Sequence, residues 1–80
     1  MKAKYKYIEF VQDGEFQNRP QYNCLNIKDT QVLGMVCYYV PWKQFIITPD
    51  PYPGIVFSSD CLDDISDFLN QLNKTGKYGR

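Results

Sequence analysis

Aromatic and β-branched residues alternate with polar ones from Tyr5 to Gln12, which predicts a first strand. Ile8 and Phe10 fall on one face of it, and Tyr5, Tyr7 and Val11 on the other. Asp13-Gly14-Glu15 brings turn chemistry that ends the strand. Phe16 to Pro20 reads as loop, because Asn18, Arg19 and Pro20 resist regular structure. Tyr22 to Ile27 predicts a second strand, Lys28 to Gln31 a polar turn, and Val32 to Val40 a third strand. The second and third are close enough to pair as an antiparallel hairpin. Gly34 predicts a bulge or a close approach by another part of the chain. Along the third strand Val32, Val36, Tyr38 and Val40 share one face, and Leu33, Met35, Cys37 and Tyr39 the other. A strand that is apolar on both sides wants cover on both. One helix covers one side, so the pattern predicts self-association through the other.

Pro41 interrupts the ladder, since it has no N–H to donate. Trp42 to Thr48 reads as a fourth strand, with Phe45 and Ile47 on one face and Ile46 on the other. Pro49 to Gly54 carries three prolines, either as a stiff connector or as a preorganised binding edge. Ile55 to Phe57 reads as a short last strand. Ser58, Ser59 and Asp60 are N-cap residues. Cys61, Leu62, Ile65, Phe68, Leu69 and Leu72 then recur at helical spacing as one apolar stripe. Asp60, Asp63, Asp64 and Asp67 take the solvent side near the favourable end of the macrodipole. Lys74 falls near the other end, and Gly76 is a candidate C-cap. The expected fold class is α+β: an antiparallel four- to five-stranded sheet with one C-terminal helix packed on one face. The expected domain is single, 1–80, with 1–4 and 75–80 as flexible tails.

Composition narrows the chemistry. Nine basic and nine acidic residues cancel, so the excess of cations expected of a DNA binder is missing. The chain has seven Tyr, five Phe and one Trp, side chains that suit both a small core and a binding surface. No histidine is present, which removes the commonest general base and metal ligand. Cys24, Cys37 and Cys61 have no CxxC spacing and suggest neither a disulfide framework nor a zinc site. The aspartates of the helix lack the spacing of a calcium loop. Ser58 and Ser59 have no evident base, and capping explains them. The reading is a non-enzyme with no catalytic residue, no metal and no cofactor. The basic start leads into no apolar run, so no secretion signal or membrane partner is expected, and the expected location is a host cytoplasm.

Binding chemistry is better represented. Tyr39-Val40-Pro41-Trp42-Lys43-Gln44-Phe45 gathers aromatic rings, a cation and an amide. Rings stack on bases, a cation pairs with phosphate and an amide reads a base edge. Arg19, Tyr22 and Lys2, Lys4 and Lys6 add cations and rings. The competing reading makes Trp42 a core residue and Lys43 a solvated strand position.

The residues Leu33-Gly34, Tyr38-Tyr39-Val40-Pro41-Trp42-Lys43-Gln44-Phe45, Pro49, and Val56-Phe57-Ser58-Ser59-Asp60-Cys61-Leu62-Asp63-Asp64-Ile65 resemble a large family of small phage and prophage proteins. Its pattern is roughly LG…WYxPWRQYxFxP…TxFSxxCLxDIxxFI, and the resemblance covers about residues 5 to 73. Tyr38 stands where Trp is usual, Lys43 where Arg is usual and Phe45 where Tyr is usual. The Arg-to-Lys change weakens a bidentate phosphate role at that position. The resemblance implies a link to viral anti-CBASS sponges, which capture cyclic dinucleotide signals without cleaving them. On that reading Trp42 and Tyr39 stack on bases, Lys43 or Arg19 lies near phosphates, Gln44 reads an edge and Tyr22 adds a ring. A homo-oligomer, with a tetramer favoured, would form its sites between subunits. Two other readings stay open. One is a phage inhibitor or adaptor that binds a host defence protein through the acidic helix face or the aromatic sheet. The other is an accessory virion component.

Overall fold

The computed structural model describes residues 1–51 and 54–74. Four antiparallel strands follow one another as a meander: β1 (Ile8–Phe16), β2 (Arg19–Asn26), β3 (Val32–Tyr39) and β4 (Gln44–Pro49). One helix, α1 (Ser59–Lys74), packs on a single face of the sheet. Tyr52, Pro53 and the expected C-cap Gly76 lie outside the described residues, as does the expected tail at 75–80.

The sheet departs from the expected boundaries where turn chemistry is absorbed into strands. Asp13 and Gly14 do not end β1. They form a bulge between Gln12 and Glu15, and Gly14 takes a φ of 80° that suits glycine. The hairpin turns instead at Gln17 and Asn18, both left-handed at φ 54° and 65°, with Phe16 paired to Arg19. Two left-handed residues in succession match the right-handed twist of the flanking strands. Pro20, expected in a loop, is therefore a strand residue, opposite Glu15.

A second bulge changes which side chains share a face. Cys24 pairs with Gly34 and Leu25 with Val32, so Leu33 is an extra residue on β3. Leu33 turns into the core and Val32 turns out, the reverse of simple alternation. The bulge and the close approach expected at Gly34 are both present, since a Cβ there would lie 2.8 Å from the Thr48 carbonyl oxygen.

The core lies between α1 and the face formed by Ile8, Phe10, Tyr22, Cys24, Val36 and Phe45. Phe68 is fully buried at its centre, stacked on Phe10 at 4.1 Å and edge-on to Tyr22 at 5.0 Å. Ile65 and Leu72 extend the buried stripe one turn each way, whereas Leu62, expected in it, is 53% exposed. Ser58 caps the helix: its Oγ accepts from the Cys61 N–H at 3.2 Å. Ile55 to Phe57, expected as a strand, is irregular chain leading into that cap.

The first residues are tied down from Lys2 onward. The Lys2 N–H donates to Gln71 Oε1 at 2.8 Å, and the Phe10 N–H donates to the Ala3 carbonyl at 2.8 Å. This arm folds back at Tyr5, which enters the helix-covered core rather than sharing the outer face with Tyr7 and Val11. The Tyr5 hydroxyl donates to Asp67 at 2.8 Å, so Asp67 is not simply a solvated residue. Burial first, and then the Asp67 carboxylate, push the Tyr5 phenol far above its ordinary pKa.

Candidate functional site

Among the described residues, no helix lies on the opposite face of the sheet. The strand register places Val11, Asn23, Leu25, Val32, Met35 and Ile46 there, with Cys37, Tyr39, Gln44 and Thr48. Glu9, opposite Leu25 at the β1 edge, is the one charged side chain that the strand register adds to this face, and the positions named above are uncharged. Val11, Val32, Met35 and Tyr39 are exposed large apolar residues.

One end of this face carries an aromatic corner. β3 runs out at Tyr39, and Val40-Pro41-Trp42 forms a single 3-10 turn with the proline in its first positions. Lys43 closes the turn in a left-handed conformation, φ 53°, with its N–H bonded to the Val40 carbonyl. β4 then restarts at Gln44, opposite Tyr39. Trp42 was expected as the first residue of β4 and as a possible core residue; it is neither. The turn lifts it out of the ladder, 65% exposed, with its ring edge-on to Tyr39 at 5.1 Å. Tyr39, Trp42, Lys43 and Gln44 therefore form one contiguous patch.

The remaining two expected site residues do not join it. Tyr22 is 8% exposed and packs edge-on to Phe68, so it is core. Arg19 reaches the same end of the sheet, because the β1–β2 turn and the β3–β4 turn lie at the same end of a meander. Its guanidinium lies 3.9 Å from the Tyr38 ring centre, and Tyr38 in turn stands edge-on to Phe45 on the helix-covered side. Arg19 thus flanks the corner from behind. The helix ends nearby: Asn73 Oδ1 accepts from the Phe45 N–H at 2.7 Å, which also brings Lys74 to this end.

Sequence reasoning did not single out Val40, 55% exposed beside Trp42, or Phe16, 56% exposed at the β1–β2 turn. A valine before Pro-Trp in a turn too short to bury it was the available signal for Val40. At the other end of the bare face lies a shallow hollow of about 290 Å³, lined by Val32, Met35, Thr48, Pro49 and Pro51 with Asn23 and Asp50.

The cysteines are all free; Cys24 is buried, and burial pushes its thiol up to about 12. Cys37, half-buried on the bare face, is also raised by burial. Among the described residues no cluster of His, Cys, Asp or Glu is arranged to hold a metal ion, and no helix is long and apolar enough to cross a membrane.

The fold defines an antiparallel meander backed by one helix, with an aromatic corner on the uncovered side. No family model, curated protein or solved structure matches the chain.

Proposed function

We propose that this chain is a non-catalytic binding protein that captures a cyclic dinucleotide, in the manner of a phage immune-evasion sponge acting in a host cytoplasm. The observation that carries the reading is the exposed Tyr39–Trp42 pair with Lys43 and Gln44 beside it. An exposed indole is a stacking platform for a base, at about 1–3 kcal/mol per base. Lys43 supplies a cation at the phosphate position, and Gln44 an amide for a base edge. A cyclic dinucleotide carries two phosphates, and Lys43 is the cation of the patch, since Arg19 is held over Tyr38 behind the corner. Calorimetric titration with cyclic di- and trinucleotides tests the reading. Saturable heat and chromatographic recovery of intact ligand are the expected results. Trp42→Ala should weaken binding by about tenfold or more while the protein stays folded. No heat with any of these nucleotides would sink the proposal.

A second reading, an inhibitor or adaptor for a host protein, is favoured by one observation: the centre of the face adjoining the corner is uncharged and largely apolar, with Glu9 only at its β1 edge. Depletion of charge with exposed Trp, Tyr and Met is what the centre of a protein interface shows. Capture of a host protein that is lost in Met35→Lys but kept in Lys43→Ala would support that reading over the first.

A further inference from the structure

The bare face raises the question of what covers it, and the sheet edges restrict the answer. The outward backbone of β1 is occupied near its start by the arm from Ala3, and the bulge at Asp13 and Gly14 kinks the remainder. On β4, Asn73 takes the outward N–H of Phe45, and Pro49 has no N–H to offer. Addition of another strand at either edge is thus disfavoured, and the face remains.

Three features of the face fit a second copy of this chain. The first is charge: Glu9 stands at the β1 edge and Asp50 at the hollow, but the centre around Asn23, Met35, Cys37 and Ile46 is uncharged, which suits a like surface. The second is area. Strands about 4.8 Å apart with about 3.3 Å of rise per residue give a four-stranded face of roughly 400–500 Å². Two such faces bury about 800–1,000 Å², and the corner and the proline lip add the remainder needed to clear the threshold of about 1,000 Å² for a specific interface. The third is symmetry. Met35–Thr48, Cys37–Ile46 and Tyr39–Gln44 are successive outward pairs of one ladder. The aromatic corner adjoins the last pair, and the hollow surrounds the first. A two-fold axis in the plane of the face, passing over Cys37–Ile46 and perpendicular to the strands, puts each corner over the other copy's hollow. That is the self-complementarity an isologous dimer requires. At about 290 Å³ the hollow lies just below the roughly 300–1,000 Å³ of small-molecule sites and suits a single inserted side chain.

We infer that the free protein pairs face to face, each Trp42 docking in the Val32–Met35 hollow of a second copy, and that ligand capture at the corner competes with this pairing. The regulatory half of the inference rests on the proposed ligand reading; the pairing does not.

The test is sedimentation of the full chain over roughly 1–300 μM, with tryptophan emission read in parallel. Trp42 is the sole indole, so the emission reports its environment alone. The expected result is a shift from monomer to dimer mass, with emission moving to shorter wavelength in step. Ile46→Lys and Met35→Lys, checked for unchanged circular dichroism, should each weaken pairing by about 30-fold or more. Met35 is exposed in the single chain, so its variant remains informative if Ile46→Lys fails to fold. Cyclic di-AMP and cyclic GMP–AMP are the ligand probes. A probe that binds should bind the monomeric variant at least as tightly as the wild type, and should drive the wild type towards monomer. A wild type that stays monomeric throughout, or a dimer indifferent to both lysines, overturns the pairing whatever the probes do. A probe that strengthens the dimer overturns the competition. Pairing without binding of any probe leaves the dimer standing and removes the ligand reading.

Discussion

Tyr22 and Tyr39 show how little residue type says about role. Both are tyrosines on strands; one packs on Phe68 and the other stands beside an exposed indole. The difference is the face each occupies, and alternation assigns faces without saying which of them the helix will cover. Phe68 settles the covered one. Its removal in Phe68→Ala costs about 3–5 kcal/mol, against a total of about 4–12 kcal/mol for a chain of this length. A urea midpoint lowered in proportion to that loss is the expected outcome. Tyr5→Phe removes the hydroxyl bond to Asp67 and should lower stability by about 1 kcal/mol in urea unfolding. The buried thiol adds a pH signature. Cys24 keeps its proton in the folded chain up to about 12, while the unfolded thiol releases it near 9.0. Its contribution is therefore complete below pH 9 and is lost as pH rises from there. Unfolding measured from pH 8 to 11 should show stability falling above about 9, and less steeply in Cys24→Ala.

At the scale of elements, the helix and the middle of each strand were legible because their periodicities are strong. Cys61 to Leu72 repeats at helical spacing, and Phe45-Ile46-Ile47 alternates as a strand should. What could not be read were the places where one residue is inserted. Asp13-Gly14 looks like a turn and is a bulge, and Gln17-Asn18 is a turn without the usual glycine. Nothing local marks Leu33 as the extra residue that swaps Val32 out and Leu33 in. The corner itself was legible as a cluster of residue types, and its exposure was not, because that depends on the 3-10 turn lifting Trp42 out of the ladder. The β1–β2 turn makes a clean prediction: changing Gln17-Asn18 to Asn-Gly supplies the preferred residues for two positive φ values. The melting temperature should rise by about 2–6 °C, equivalent to about 0.5–1 kcal/mol. Gly34→Ala should act in the opposite sense, because its methyl would meet the Thr48 carbonyl and separate β3 from β4. Amide exchange along β4 should accelerate in that variant.

At the scale of the molecule, among the described residues the one helix covers one face of the sheet and leaves the other largely apolar. That asymmetry ties the two proposals together, since the corner that would stack on a base also protrudes at the end of the face that would pair. A two-fold dimer uses the bare face of each copy once; the tetramer implied by the family resemblance would need a further surface. Val56 and Leu62 are both exposed, one just before the helix and one in its first turn. The central claim is that Trp42 contacts the ligand, and the most direct measurement is titration of its emission in the Met35→Lys variant, kept monomeric, with cyclic di-AMP and cyclic GMP–AMP. Saturable quenching by at least one of them, with the nucleotide recovered unchanged, is the predicted result. An emission unaffected by either, in a protein that remains folded, would contradict the account.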